Sequence, residues 1–388
     1  MISSTAGSPG PARSWTPRRW LPELESLRGV AAFAVVLHHA TLDSFGSRGG
    51  PFVALAAWLG GWGVAFFFVL SGFCIHLPRA REIARGERPS LGVLSFWRQR
   101  ARRLLPTHYA ALLLSCLVAE HFRSRLLTPP TASTFLQHVF MVHVFGPAFY
   151  SINAVFWSIA VEVHFYLLYP LFLKMRERMR AGVQTLLLLA LGLATYASGS
   201  LLFPAGSTGR LVVHTLFLVS WWQWSLGALL AEAYARGADR MAQLFAFRGA
   251  LPLWLTCSLG LAFVDPVLAG FHLRQWLLPP LCALVLAQAI TFGAGSWSAH
   301  RGLRAVGTFS YSLYLVHPVA QAALRGLVRP SLGMVSVAAS CAISLLAAWL
   351  FFVLFERPFL KKPAHARHAP DDSRHAARVQ PLSDGLSL

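Results

Sequence analysis

Apolar runs about twenty residues long recur along the whole chain, and they constrain its fold more than any other feature. Wound as a helix at about 1.5 Å per residue, one such run matches the hydrocarbon core of a bilayer. The runs fall roughly at 22–43, 55–77, 104–121, 153–173, 183–203, 211–234, 250–266, 275–293, 305–324 and 333–356. A shorter run at 133–147 carries His138 and His143 and reads as an interfacial or re-entrant piece rather than a span. Of the 388 residues, 55% are hydrophobic and 13% charged, against about 25% charged in an average soluble chain. A water-soluble enzyme could not hide that much apolar surface. The expected fold class is therefore all-α, a polytopic membrane protein of about ten transmembrane helices.

The charge balance gives the expected orientation. There are 34 basic residues against 15 acidic ones. With the N-terminus inside, Arg13, Arg18, Arg19, the arginines between Arg79 and Arg103, and those from Lys174 to Arg180 all fall on one face, as do the basic residues from Arg357 onward. The outer loops keep only Arg48, Arg123, Arg125, Arg210, Arg274, Arg325 and Arg329. This asymmetry predicts both termini in the cytoplasm and an inner (plasma) membrane location, and it accounts for the positive charge without a nucleic-acid partner. Segments 1–20 and 361–388 are polar and read as disordered cytoplasmic tails flanking one membrane domain, 21–360. The opening residues lack the apolar core of a cleavable signal peptide, so the first apolar helix is expected to insert by itself. Five cysteines lie in apolar stretches without paired spacing, which predicts neither a disulfide framework nor a metal site.

Ionisable groups at membrane depth are costly and usually functional. Placed against the ten runs, Glu162 is the one acid that lies well inside an apolar stretch, NAVFWSIAVEVHFYLLYPLFL. The first run, ELESLRGVAAFAVVLHHA, holds Arg28 and His39 eleven positions apart. At about 100° per residue these share a helical stripe, separated by roughly 16 Å along it. Glu25 is three residues before Arg28 and is placed to pair with it. Arg100 and Arg103, in SFWRQRARRLLPTHY, precede the third run, where guanidinium groups and a helix start together suit phosphate groups. Tyr311, Tyr314 and His317 put polar tips along another helix in SYSLYLVHPV.

Taken in order, these pieces resemble the acyltransferase-3 family of integral membrane O-acyltransferases, which includes O-antigen acetylases and macrolide acyltransferases. The resemblance runs over roughly 21–360 and rests on LESLRGVAAFAVVLHHA, GVAFFFVLSGFCI, FWRQRARRLLP, VFWSIAVEVHFYLLYP, SYSLYLVHP and FERP. The family's Arg-x10-His corresponds to Arg28 and His39. Its Arg-x-x-Arg-x-x-Pro corresponds to Arg100, Arg103 and Pro106, and its Ser-x-x-x-Glu to Ser158 and Glu162. Glu25 stands where the family usually has Asp, Ala65 where an Asp is often seen, and Val163-His164 where Glu-Gln is common.

The resemblance implies transfer of an acyl group, acetyl by default, from acyl-CoA to a hydroxyl of a carbohydrate or a glycosylated small molecule. His39 is then the expected general base. Glu162 would orient its imidazole, and Arg28 would hold an oxyanion or the donor's negative groups. Arg100 and Arg103 would bind the phosphates of coenzyme A. Ser71, in the GVAFFFVLSGFCI stretch, joins Glu25, Ser158, Tyr311, Tyr314 and His317 as supporting residues. Acyl-CoA enters as a substrate, with no permanently bound cofactor expected. The alternative from the residues alone is a proton-coupled transporter built on Glu162 and His39. The lack of an obvious internal repeat weighs against it.

Overall fold

The computed structural model describes residues 21–46, 50–122, 124–237, 252–253, 255–257, 259–260, 271–292, 300–325 and 333–360. The expected tails at 1–20 and 361–388 lie outside the described residues, as does most of the expected span at 250–266. The described residues are almost entirely helical, with no strand among them beyond an isolated bridge between Leu127 and Asn153.

Helix α1 runs Pro22–Phe45. Proline suits its first turn because the missing N–H would have no intrahelical partner there, and Glu23 and Glu25 face the positive end of the helix dipole. It stops at Gly46, whose φ of 60° belongs to the left-handed region that glycine tolerates. Helix α2, Gly50–Ala84, is the longest, and α3 follows over Val93–His121. The helix start expected at the third run lies earlier, at Val93, thirteen residues before Pro106, so the arginine cluster rides on the first turns of α3. Helix α4, Ala132–Val139, is held by a capping box between Thr131 and Thr134 and is followed by a single 3₁₀ turn, His143–Phe145. Eight residues cannot cross a bilayer, so this segment is not a membrane span, as its sequence suggested.

The chain continues with α5 (Phe156–Arg178), α6 (Ala181–Leu202), α7 (Thr208–Thr215) and α8 (Phe217–Arg236). The run expected as one span at 211–234 is therefore broken at Leu216, whose extended backbone separates α7 from α8. After α9 (Phe271–Phe292), the expected span at 305–324 is likewise divided at Phe309 into α10 (Arg301–Thr308) and α11 (Ser310–Arg325). Helix α12, Met334–Phe351, ends in a π-helical turn, Phe352–Glu356. Among the described residues, four helices are long and apolar enough to cross a membrane: α2, α5, α6 and the continuous 334–359 segment.

Backbone contact between small residues sets the packing around the site, as in other membrane helix bundles. Helix α8 lies on α2 so closely that a Cβ on Gly227 would collide with the carbonyl of Val69, and one on Gly72 with the carbonyl of Trp224. Helix α10 meets α1 in the same way, with Gly307 against the backbone of Glu25. Helices α1 and α11 also touch, as do α3 and α11 and α3 and α5. These contacts bring the chemistry-bearing stripes of α1, α3, α5 and α11 to one interior.

Candidate active site

Two neighbouring cavities occupy that interior. The smaller, about 160 Å³, is lined by Arg28 of α1, Ser71 and Cys74 of α2, Arg100 and Arg103 of α3, Ser158, Glu162 and Tyr166 of α5, and Tyr311 and Tyr314 of α11. The larger, about 490 Å³, is lined by His38 and His39 of α1 together with Trp157, His214, Gln223, Gln275 and Tyr314. Val64, Phe68 and Tyr314 line both, so these three side chains form the partition. Tyr314 is fixed there by a 2.7 Å hydrogen bond between its hydroxyl and that of Ser158.

The histidine cavity contains a paired imidazole. Nδ1 of His39 lies 2.8 Å from Nε2 of His317, and the two rings stack at 5.1 Å between centroids. Nδ1 of His317 lies 3.1 Å from the carbonyl oxygen of Leu313, one turn back in α11. A carbonyl only accepts, so Nδ1 of neutral His317 carries the proton and its Nε2 is bare. His39 must then donate through Nδ1, which leaves Nε2 of His39 as its unprotonated nitrogen.

The expected pairing of Glu162 with His39 is corrected by this geometry. Glu162 lines the arginine cavity, where it accepts a short hydrogen bond from Tyr166 one turn along α5. The Tyr166 hydroxyl also lies 3.3 Å from Ser71, which accepts from the indole of Trp224. The partner on His39 is His317, a residue whose polar tip was legible in the sequence but whose contact with α1 was not. Glu25 and Arg28 form no ion pair among the described residues; Arg28 turns to the arginine cavity instead.

Position within an apolar run is not the same as burial. Glu162 is half-buried beside open space, whereas Glu232 and Glu356 are buried within the protein. Each of those two is matched by positive charge or donors, as burial requires. Glu232 receives both guanidinium arms of Arg176, at 2.6 and 2.7 Å, with Arg236 at 2.9 Å and His76 at 3.2 Å. Glu356 receives Arg103 at 2.7 Å and the Ser312 hydroxyl at 2.6 Å. Both acids fall near the ends of their apolar runs, 211–234 and 333–356, and the FERP motif was the one signal that could have singled out Glu356. Its partner Arg103 also stacks over Tyr311, 5.6 Å from the ring centroid, and the Tyr311 hydroxyl donates to the carbonyl of Leu104 at 3.2 Å. Thus one end of Arg103 is tethered by Glu356 and Tyr311 while the residue borders the cavity.

The arginine cavity brings three guanidinium groups against one carboxylate, Glu162, and so favours an anionic guest. Among the described residues no cluster of three or more His, Cys, Asp or Glu side chains is arranged to hold a metal ion.

Comparison with known proteins gives the same chemistry a family. No solved structure matches the chain. Among curated proteins, it is 30% identical to the O-acetyltransferase OatA of Staphylococcus aureus (strain NCTC 8325 / PS 47) over 190 residues, covering 45% of this chain and 28% of that one. It is 23% identical to the peptidoglycan O-acetyltransferase OatA of Listeria monocytogenes over 323 residues, 77% of this chain and 49% of the relative. It is 29% identical to the putative peptidoglycan O-acetyltransferase YrhL of Bacillus subtilis over 191 residues, 44% and 27% respectively. The matched stretches therefore span from about a quarter to about half of these relatives' lengths. The family model for an acyltransferase domain matches residues 21–353, nearly the whole membrane region, and the chain belongs to this acyltransferase-3 family.

Proposed function

We propose that the protein is a multi-pass membrane O-acetyltransferase that moves an acetyl group from acetyl-CoA to a hydroxyl acceptor. In this reading the membrane is the plasma membrane, about ten helices cross it, and both termini are cytoplasmic. The relatives' names make a glycan hydroxyl the first acceptor class to test. One observation carries the reading: a cavity lined by Arg28, Arg100 and Arg103 and a cavity lined by His39 share the side chains of Val64, Phe68 and Tyr314.

The donor's phosphates sit against Arg100 and Arg103, and its pantetheine arm leads the thioester toward the partition. Arg28 and His39 are about 16 Å apart on α1, so Arg28 is too distant to touch an oxyanion formed beside His39. Its role is to hold the donor's anionic groups. Nε2 of His39 takes the proton of the acceptor hydroxyl as the oxygen attacks the thioester carbonyl. Collapse of the tetrahedral intermediate expels the coenzyme A thiolate, which recovers that proton from His39. The ester is formed, coenzyme A is released with its thiol, and His39 returns to its starting state. In this reading Tyr314, at the partition, turns its hydroxyl proton from Ser158 to the oxyanion. His317 accepts from Nδ1–H of His39, keeps the correct tautomer and shares the charge of the imidazolium. Glu162 balances part of the guanidinium charge, and Tyr166 holds its carboxylate in place.

The transport reading uses the same Glu162 and His39 but assigns nothing to the three arginines and conflicts with the family membership. The deciding experiment supplies acetyl-CoA to the protein in lipid nanodiscs and follows free coenzyme A with a thiol reagent. Release that depends on an added hydroxyl acceptor is expected. Its absence across soluble glycans, glycosides and simple alcohols refutes acetyl transfer.

A further inference from the structure

The histidine cavity holds recognition groups that the proton chemistry leaves unused. At about 490 Å³ it is about three times the volume of the arginine cavity and lies within the usual range for a small-molecule site. Most of its lining is apolar: Phe68, Leu126, Trp157 and Leu278 are among its bulky members, with Ala57, Gly60 and Gly61 leaving room along α2. Two primary amides come from other helices, Gln223 from α8 and Gln275 from α9. Among the described residues both make only marginal hydrogen bonds within the protein. The Gln223 amide donates to the carbonyl of Gln275, and the Gln275 amide to the carbonyl of His214, each at 3.5 Å. Gln223 is nevertheless only 3% exposed. A buried amide held at the limit of hydrogen-bond distance has capacity for a better partner.

Charge narrows the guest further. Among the described residues that line this cavity there is no carboxylate, and Arg125 is the one fixed charge. A cationic acceptor would find no counter-charge. A bare glycan strand would surrender the hydration of many hydroxyls to a wall of which the larger part is apolar. A guest with one hydroxyl-bearing face and an apolar body meets both halves of the lining.

We infer that this cavity is the acceptor site and that it selects a neutral amphipathic glycoside. The apolar part packs against Phe68, Trp157 and Leu278, while sugar hydroxyls engage Gln223 and Gln275. One hydroxyl is thereby presented toward His39. The inference rests on the acetyl-transfer reading for its reaction, but its binding step can be measured alone.

The test uses the full chain in nanodiscs and equilibrium dialysis, with empty nanodiscs to subtract partition into lipid. The probes are 4-nitrophenyl β-D-glucoside and methyl β-D-glucoside, which share a sugar and differ in apolar body. The nitrophenyl glucoside is expected to bind at least tenfold more tightly. Gln223→Leu, and Ala57→Phe, which fills the apolar side, are each expected to weaken it at least tenfold at unchanged melting temperature. Equal affinity for the two probes, or wild-type affinity in a folded Ala57→Phe protein, overturns the inference. Coenzyme A release is followed in the same samples. Tight binding without any release refutes acetyl transfer and leaves the amphipathic site standing, so the two failures are distinct.

Discussion

His39 and His317 are 278 positions apart in the chain yet share a 2.8 Å contact, and that contact sets which imidazole nitrogen is free. His39→Ala removes the proposed base and is expected to lower transfer by about 10²–10⁴-fold, the usual worth of a positioned proton acceptor. Coenzyme A release at saturating acceptor measures it, and an active His39→Ala protein would sink the assignment. His317 acts through its neighbour, so its loss has a different signature. His317→Ala is expected to lower kcat by roughly 10–100-fold with the KM for acetyl-CoA unchanged, whereas His317→Gln keeps an acceptor oxygen for Nδ1–H and recovers part of the rate. A purely structural role would instead lower the folded yield of both variants alike. Arg100 borders the other cavity, and Arg100→Gln is expected to raise the KM for acetyl-CoA about tenfold while leaving acceptor binding as it was.

Helix contacts decide whether these residues meet. Helix α8 reaches α2 only because Gly72 and Gly227 face each other's backbone. Gly227→Val places side-chain carbon where the carbonyl of Val69 lies, so the two helices must separate. A fall in melting temperature and in folded yield is expected, checked by thermal unfolding of the purified protein in detergent; an unchanged melt would mean that the contact is easily relaxed. The π-helical turn at Phe352–Glu356 acts on the donor side. It ends on Glu356, fully buried and bonded to Arg103 and Ser312, so the last helix is tied to α3 and α11 at the edge of the arginine cavity. Removing that charge by Glu356→Gln costs about 1–3 kcal/mol of stability, below the value for a sealed pair because Arg103 is 30% exposed. The KM for acetyl-CoA is expected to rise with it, since Arg103 loses its tether; a donor KM equal to that of the parent protein would separate Arg103 from donor binding.

At the scale of the whole molecule, the sequence by itself determined the class and the cast. Apolar runs of bilayer length leave a chain no stable alternative to membrane helices, because every backbone N–H and C=O in lipid must be satisfied within its own segment. Helical periodicity put Arg28 and His39 on one stripe, and the arginine-rich start of α3 drew attention to Arg100 and Arg103, which line a cavity in the structure. Breaks inside apolar runs were not legible, since the residues at the breaks, Leu216 and Phe309, are themselves apolar and leave the helix through their backbone geometry. Burial was not legible either: Glu162 sits mid-run yet borders a cavity, while Glu232 and Glu356 sit near run ends yet are enclosed by arginines from other helices. Tertiary structure alone decided that His39 meets His317 rather than Glu162, and that Tyr314 stands between two cavities. The physical reason is that a helical stripe fixes which residues share a face, whereas which face meets which depends on close backbone approach at glycines far apart in the chain. No local pattern encodes that approach.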